Sequence, residues 1–349
     1  MKMQKLKFFS NDSLLKASNS IVAIIIAFIM GGLMVLISGD NPLEAYGALL
    51  QGAFGSVVSL RNTIRYTIPI IIIAYSFALT DKCGFFNISQ ESQMYGAALA
   101  MVMVSQLTLS LPSGIRIILM AASAIIASSL LCILPAIIKF KLGVSEVVVG
   151  VMMNYLMSFL SKHMIAYSFI AEKGTSSIMS KAIPEEMGFW GISILIVILV
   201  VIYQIVMKQT VPGFRLRVVG QNPVFAEASG IKSMKVMLTS AAFAGGLIGI
   251  CAISEMLGYY HLIYSDFALN VGFNGMTAAL LGNGGAIGMI LGALLLGALK
   301  SGSVLLSVIT TVPTELVDCV QGFVMFFATI TIFKPGLLSK RTPAVSKGV

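Results

Sequence analysis

Residues 20–38 read SIVAIIIAFIMGGLMVLIS, nineteen positions without a charge. A helix that crosses a bilayer needs about 20 mostly apolar residues, so this stretch is long enough to be a span. The same pattern continues to the end of the chain. Apolar runs follow at Tyr66–Thr80 (led into by Thr63–Arg65), Met94–Leu111, Ile115–Ile138, Val147–Ser161, Gly188–Val206 and Val236–Ser254. Two shorter ones, Phe267–Gly282 and Ala286–Leu299, are parted by Gly282-Asn283-Gly284-Gly285, and a last one covers Leu316–Phe333. This predicts an all-α integral membrane protein of roughly ten spans, counting short runs that could re-enter instead of crossing.

Composition agrees. Of 349 residues 57% are hydrophobic and 11% charged, against about 45–50% and about 25% in soluble domains. That excludes a soluble enzyme, a disordered chain and a nucleic-acid-binding domain. The net charge of +9 comes from basic residues between apolar runs, where it reports topology. With the N-terminus inside, sixteen of the 23 Lys and Arg fall on the cytoplasmic side, so both ends are read as cytoplasmic. Arg61 and Arg65 fall outside, within or beside an amphipathic interfacial segment at Asn41–Asn62. The basic start (Lys2, Lys5, Lys7, Lys16) resembles a signal peptide. Its apolar run is too long for one and no small-residue cleavage site follows, so it is read as an uncleaved anchor. The organisation is a basic segment at 1–19, a transmembrane domain at 20–335 with a cytoplasmic stretch at 207–235, and a tail at 336–349. A polar outer loop covers Lys162–Met187.

Enzyme signatures are missing. There is no GxxxxGK[ST], GxSxG or HExxH. His163 and His261 stand far apart, and the four cysteines form no CxxC, so no metal or disulfide framework is indicated. Gly282–Gly285 joins two helices and reads as a tight turn.

Polar residues at membrane depth are costly and mark function by default. Cys83–Gln93 interrupts two apolar runs with Gly84, Asn87, Gln90, Glu91 and Gln93. It reads equally as a broken helix whose N-terminus faces a cavity or as a cytoplasmic loop with a capped helix start. Asn154 serves either an interhelical hydrogen bond or a pathway wall. Glu146 reads as helix N-terminus stabilisation. Glu255, Asp266 and Asn270 read as solvated loop residues ahead of an outer vestibule, and Asp318 as an interfacial residue. In 207–235, Asn222 caps a helix with Pro223 at its first position, and Gly230 ends it. A short polar helix bounded by stop signals suits docking into a groove, though a plain connecting helix has the same composition.

Four segments together resemble a known family: Gly84–Gln93 (GFFNISQESQ), Glu146–Tyr155, Gly213–Ile231 (GFRLRVVGQNPVFAEASGI) and Gly272–Gly302. They are similar, in order, to motifs of permease subunits of bacterial ABC importers for nucleosides and simple sugars, the branched-chain-amino-acid/ribose permease superfamily. Asn41–Tyr46 (NPLEAY) resembles the longer permease of nucleoside systems. The resemblance covers about residues 20–335. Ser89 and Ser92 stand where the family has glycines, and Gly285 where a proline is expected.

The resemblance implies a ten-helix fold of the type II importer kind, in a bacterial cytoplasmic membrane. It implies a second, shorter permease as heterodimer partner. A double-domain ATPase would hold ATP-Mg, this chain binding no cofactor, and an extracellular or lipid-anchored binding protein would deliver substrate. Arg215, Arg217, Asn222, Pro223, Glu227, Ala228 and Gly230 would couple to the ATPase. Asn87, Gln90, Glu91, Gln93 and Asn154 are the candidates for lining a weakly binding pathway. Scarce intramembrane charge fits a neutral, polyhydroxylated substrate and no ion-coupled relay. The expected function is nucleoside import. The alternatives are a ribose-type sugar permease and an ATP-independent secondary transporter.

Overall fold

A computed structural model describes residues 11–174, 177–184, 202–203, 205–207, 209–310 and 313–329, with side chains between residues 20 and 327. Twelve helices lie in these residues. They are α1 (Asn11–Ile37), α2 (Pro42–Phe54), α3 (Val57–Asp81), α4 (Gln90–Leu107), α5 (Ser113–Leu142) and α6 (Glu146–Tyr167). After 202–209 come α7 (Val211–Gln221), α8 (Pro223–Ala228), α9 (Ser233–Glu255), α10 (Val271–Leu281), α11 (Ala286–Ile309) and α12 (Thr314–Thr329). One π-turn, Met256–Tyr260, prolongs α9. Among the described residues extended backbone pairs only at two isolated bridges, Ala171–Ser180 and Met179–Tyr264.

Five of these helical stretches are long and apolar enough to cross a membrane: Ser20–Ile37, Val57–Asp81, Ser113–Leu142, Ser233–Tyr260 and Ala286–Ile309. The chain is a multi-pass helical protein. Outward faces are apolar. Ile21, Ile25, Ile29, Leu33 and Leu36, a helical stripe on α1, are each about half exposed, as a lipid-facing surface requires. By contrast α3 is buried along most of its length from Thr63 to Thr80. Around it pack α2, α9, α10 and α11.

Lipid tails are as apolar as leucine, so helices here gain from close packing more than from hydrophobic burial. The α5–α9 contact shows the consequence. A Cβ at Gly245 would lie 2.6 Å from the Ser128 carbonyl oxygen, and one at Gly249 2.7 Å from the Ile125 Cα. Only glycine lets these backbones approach so closely.

Several boundaries differ from those read in the sequence. The helix expected to start near Thr63 begins at Val57, because Ser56 accepts from Ser59 N–H at 3.0 Å and caps it. Arg61 and Arg65 therefore stand on a long helix, not a surface segment. Asn41–Asn62, read as one amphipathic segment, divides between α2 and the start of α3. Its first part is α2, capped by Asn41 and packed by Gly52 against Gly302 of α11. Helix α10 starts at Val271, and with 11 residues it is too short to cross. Helix α11 runs ten residues past Leu299, to Ile309. Most of the expected 188–206 span, the end of Leu316–Phe333 and the tail at 336–349 lie outside the described residues.

Candidate functional site

Helix α3 stops at Asp81 and α4 starts at Gln90, and the chain between them turns back through the interior. Cys83, Phe85, Asn87 and Ser89 are all at most 3% exposed, so this is a buried helix break and not a solvent loop. Buried backbone groups must find partners, and a helix start leaves four N–H groups without intrahelical acceptors. Here side chains supply them. Asn87 Oδ1 accepts from Ser89 N–H (3.1 Å), Ser89 Oγ (2.8 Å) and Gln93 Nε2 (3.2 Å). Gln93 Nε2 also donates to Ser89 Oγ at 2.9 Å. From α6, Asn154 Oδ1 accepts from Ser92 N–H (2.9 Å) while Asn154 Nδ2 donates to the Ile88 carbonyl (3.0 Å). This neutral knot ties the break to α6 and, through a 3.4 Å contact from Asn87 Nδ2 to Cys132 Sγ, to α5.

The other face of α4 differs. Gln90 Nε2 donates to the Ile73 carbonyl on α3 at 3.2 Å. Glu91 packs against Gly272, where a Cβ would meet Glu91 Cγ at 3.0 Å, and it accepts from the Asn270 backbone. Its Oε1 is buried with no partner among the described residues. One turn on, the Tyr95 ring stands edge-on to Phe267 at 5.1 Å, and Phe267, Tyr260 and Tyr264 continue the aromatic ledge. At its far end the Arg65 guanidinium lies 3.0 Å from the Tyr259 ring centroid and 3.7 Å from Glu255 Oε2. The two side chains are only 12% and 11% exposed. Glu255 is thus a buried ion-pair partner, not the solvated loop residue its position suggests. Asp266 pairs with Lys162 at 2.8 Å, and Asp318 with Lys300 at 3.2 Å and Asn270 at 3.4 Å.

The polar segment at 207–235 folds as two short helices. Thr210 caps α7 and Asn222 caps α8, accepting from Phe225 N–H at 3.0 Å with Pro223 at the first position. Gly230, at φ +79°, lets Ile231 N–H return to the Ala226 carbonyl at 2.9 Å. Val224, Phe225, Glu227 and Ala228 are exposed, and Ala226 alone of α8 is buried. At the end of α7, Gly220 rests on the turn after α3, where a Cβ would lie 2.2 Å from the Lys82 carbonyl oxygen. Lys139 closes the contact from the other side, donating to the Gly84 carbonyl (2.6 Å) and pairing with Glu146 (2.5 Å), which faces Phe86 N–H at 3.4 Å. The knot, the turn and the α7–α8 segment are therefore one contiguous body. Arg215 is exposed, whereas Arg217 is half-buried and donates to the Met207 carbonyl.

Of the pathway candidates, Asn87, Gln93 and Asn154 are brought together in the knot, and Gln90 and Glu91 face α3 and α10. The sequence reading missed Arg65, Tyr95, Tyr259 and Tyr260. Arg65 was visible as a violation of charge topology, and the tyrosines gave no signal of their own.

The described residues form a polytopic helical bundle with a buried helix break and an exposed capped helix. The chain belongs to the family of branched-chain amino acid transport system permease components, which it matches over residues 59–329. Among its relatives are two nucleoside-system permeases. The nucleoside ABC transporter permease protein NupB of Lactococcus lactis is 30% identical over 95% of this chain and 95% of its own length. The guanosine ABC transporter permease protein NupP of Bacillus subtilis is 30% identical over 92% of this chain and 96% of its own. The glucose ABC transporter permease protein TsgB13 of Haloferax volcanii is 25% identical over 90% and 87%. No solved structure matches the chain.

Proposed function

We propose that this chain is the permease subunit of an ABC importer that carries nucleosides across a bacterial cytoplasmic membrane, with both termini inside and about ten spans. The observation that carries the reading is α8. It is a helix capped at both ends, exposed on five of its six residues, and its segment rests through Gly220 on the buried break beside the candidate pathway. Such a helix is built to be pushed. A partner ATPase, holding ATP-Mg, receives Phe225, Glu227 and Ala228 in a groove, with Asn222, Pro223 and Gly230 keeping the helix in shape. Arg215 flanks the contact, and Arg217 braces α7 from behind. Closure of the ATPase moves α7 against the Lys82–Gly84 turn and tilts α4, which alternates access. A second permease of the same family completes the pathway, and an external binding protein feeds it.

Gln90 and Glu91 form the pathway wall. Asn87, Gln93 and Asn154 form the polar layer behind it that holds the break open. Two nucleoside-system relatives at 30% identity over nearly the whole chain support the substrate class. The glucose-system relative at 25% supports a sugar as the second reading.

The test is uptake of radiolabelled guanosine, uridine and, separately, ribose in cells with and without the gene, the nucleoside uptake competed with adenosine, ribose and leucine. Loss of uptake on deletion, competed by adenosine but not by ribose, is expected. Intact nucleoside uptake with lost ribose uptake would move the reading to sugars. E227W/A228W is expected to abolish uptake with the protein still in the membrane, since both positions are exposed and the replacements displace nothing in this chain. Normal uptake in that variant would remove α8 from the coupling.

A further inference from the structure

A groove of about 820 Å³ lies apart from the knot and the aromatic ledge, between α3, the residues Ile202, Tyr203, Val206 and Thr210, α7 and α9. Its walls are hydrocarbon, chiefly Ile71, Leu79, Val206, Leu216, Phe243 and Leu247, with the Tyr75 and Tyr203 rings in contact at 4.6 Å between centroids. Its mouth is basic: Arg215, Lys232 and Lys235 line one end. All three are exposed, and none is in an ion pair among the described residues. Among the described residues no acidic side chain lines the groove.

The dimensions have a match. From Lys235 to Leu247 along α9 is twelve residues, about 18 Å at 1.5 Å per residue. One leaflet of hydrocarbon is about 15 Å, half of the roughly 30 Å core. The groove thus runs from an interface to about the bilayer midplane. A nucleoside does not fit such walls, because its hydroxyls and base edges would lose their hydrogen bonds to water without replacement. A free anion would use the mouth and leave the apolar length empty. A molecule with a negative head and one long apolar chain uses both.

We propose that this groove binds an anionic phospholipid, its phosphate between Lys232 and Lys235 with Arg215 beside them, and one acyl chain along α9 toward Leu247. The lipid packs on Leu216 of α7, and so braces the segment that carries α8. The inference rests on the reading of α9 as a span with its Lys232 end at the membrane surface. It does not rest on the substrate, so loss of the nucleoside reading would leave it standing.

The test is lipid analysis by native mass spectrometry of the full importer, purified in mild detergent and offered phosphatidylglycerol or phosphatidylcholine. The wild type is expected to retain phosphatidylglycerol in preference to phosphatidylcholine. K232Q/K235Q is expected to weaken phosphatidylglycerol binding about thirtyfold, with K232R/K235R near wild type. T239W, which fills the groove from an exposed lining position with both lysines kept, is expected to weaken it as well. Equal retention of phosphatidylglycerol by wild type and K232Q/K235Q would overturn the proposal. So would displacement of the bound lipid by inorganic phosphate alone, which would make the mouth a simple anion site. A third contrary result is efficient cross-linking of F243C to a second permease in the assembled importer, which would make the groove a subunit interface.

Discussion

The two faces of α4's first turns are built on opposite rules. On one, Asn87, Ser89, Ser92, Gln93 and Asn154 are neutral and hydrogen-bond to each other and to the backbone at 2.6–3.2 Å, and of their side-chain atoms only Gln93 Oε1 is buried without a partner among the described residues. On the other, Glu91 keeps a buried oxygen without a partner among the described residues, and the aromatic ledge beyond it ends in an Arg65–Glu255 pair whose Arg65 Nε also lacks one there. A densely bonded neutral network favours one geometry, because rearranging it leaves further buried groups unpaired. An under-satisfied polar face has capacity left for a ligand passing along it. On the function proposed above, the first face sets shape and the second meets substrate.

The largest expected effect falls on the charged end. R65M leaves Glu255 buried without its cation, and breaking a buried pair costs about 3–5 kcal/mol. Thermal unfolding in detergent should show a large loss, with R65M/E255Q recovering part of it. No recovery in the double variant would mean that the pair does not act as a unit. Next is N154L, which orphans Ser92 N–H and the Ile88 carbonyl at about 1–3 kcal/mol each. It should lower both melting temperature and membrane yield. E91Q separates the faces most cleanly. Oε1 has no protein partner to lose, so melting should stay within a degree or two while uptake falls about tenfold or more. If E91Q instead unfolds the protein as N154L does, the two faces are not functionally distinct.

Much of this division was legible in residue types. Asn87, Gln90, Glu91 and Gln93 stood out because amides and a carboxylate at membrane depth need a reason. The capped α8 was readable from Asn222-Pro223 and Gly230 alone, since local chemistry dictates it. Which way each polar side chain points was not readable. Glu91 and Gln93 are two positions apart and differ by about 200° around a helix, so they take opposite faces only once its phase is known. The Arg65–Glu255 pair joins residues 190 positions apart, and no local pattern encodes that. The start of α3 was placed too late for a related reason: Val57–Asn62 is not apolar enough to read as part of a span, yet Ser56 caps the helix there.

The smallest expected effect tests whether the knot and the α7–α8 segment move together. Lys139 holds the Gly84 carbonyl and Glu146, on the surface side of the break. Partial burial would raise the Glu146 carboxyl, but the Lys139 ammonium and nearby backbone N–H groups outweigh it and hold it below its ordinary value. The pair therefore stabilises the fold fully above the ordinary carboxylate range, and this contribution fades as pH falls through the lowered value. Its side chains are 30% and 16% exposed, so solvent screens it and removal should cost under about 1 kcal/mol. Between neutral pH and pH 4 the wild type should lose slightly more melting temperature than K139Q, and the two curves should converge at the acid end. Transport is the sharper readout. If Lys139 passes the push from α7 to the break, K139Q should lower the uptake driven by each ATP hydrolysed while binding of the ATPase stays normal. An unchanged ratio would place the transmission in the Gly220–Lys82 contact alone.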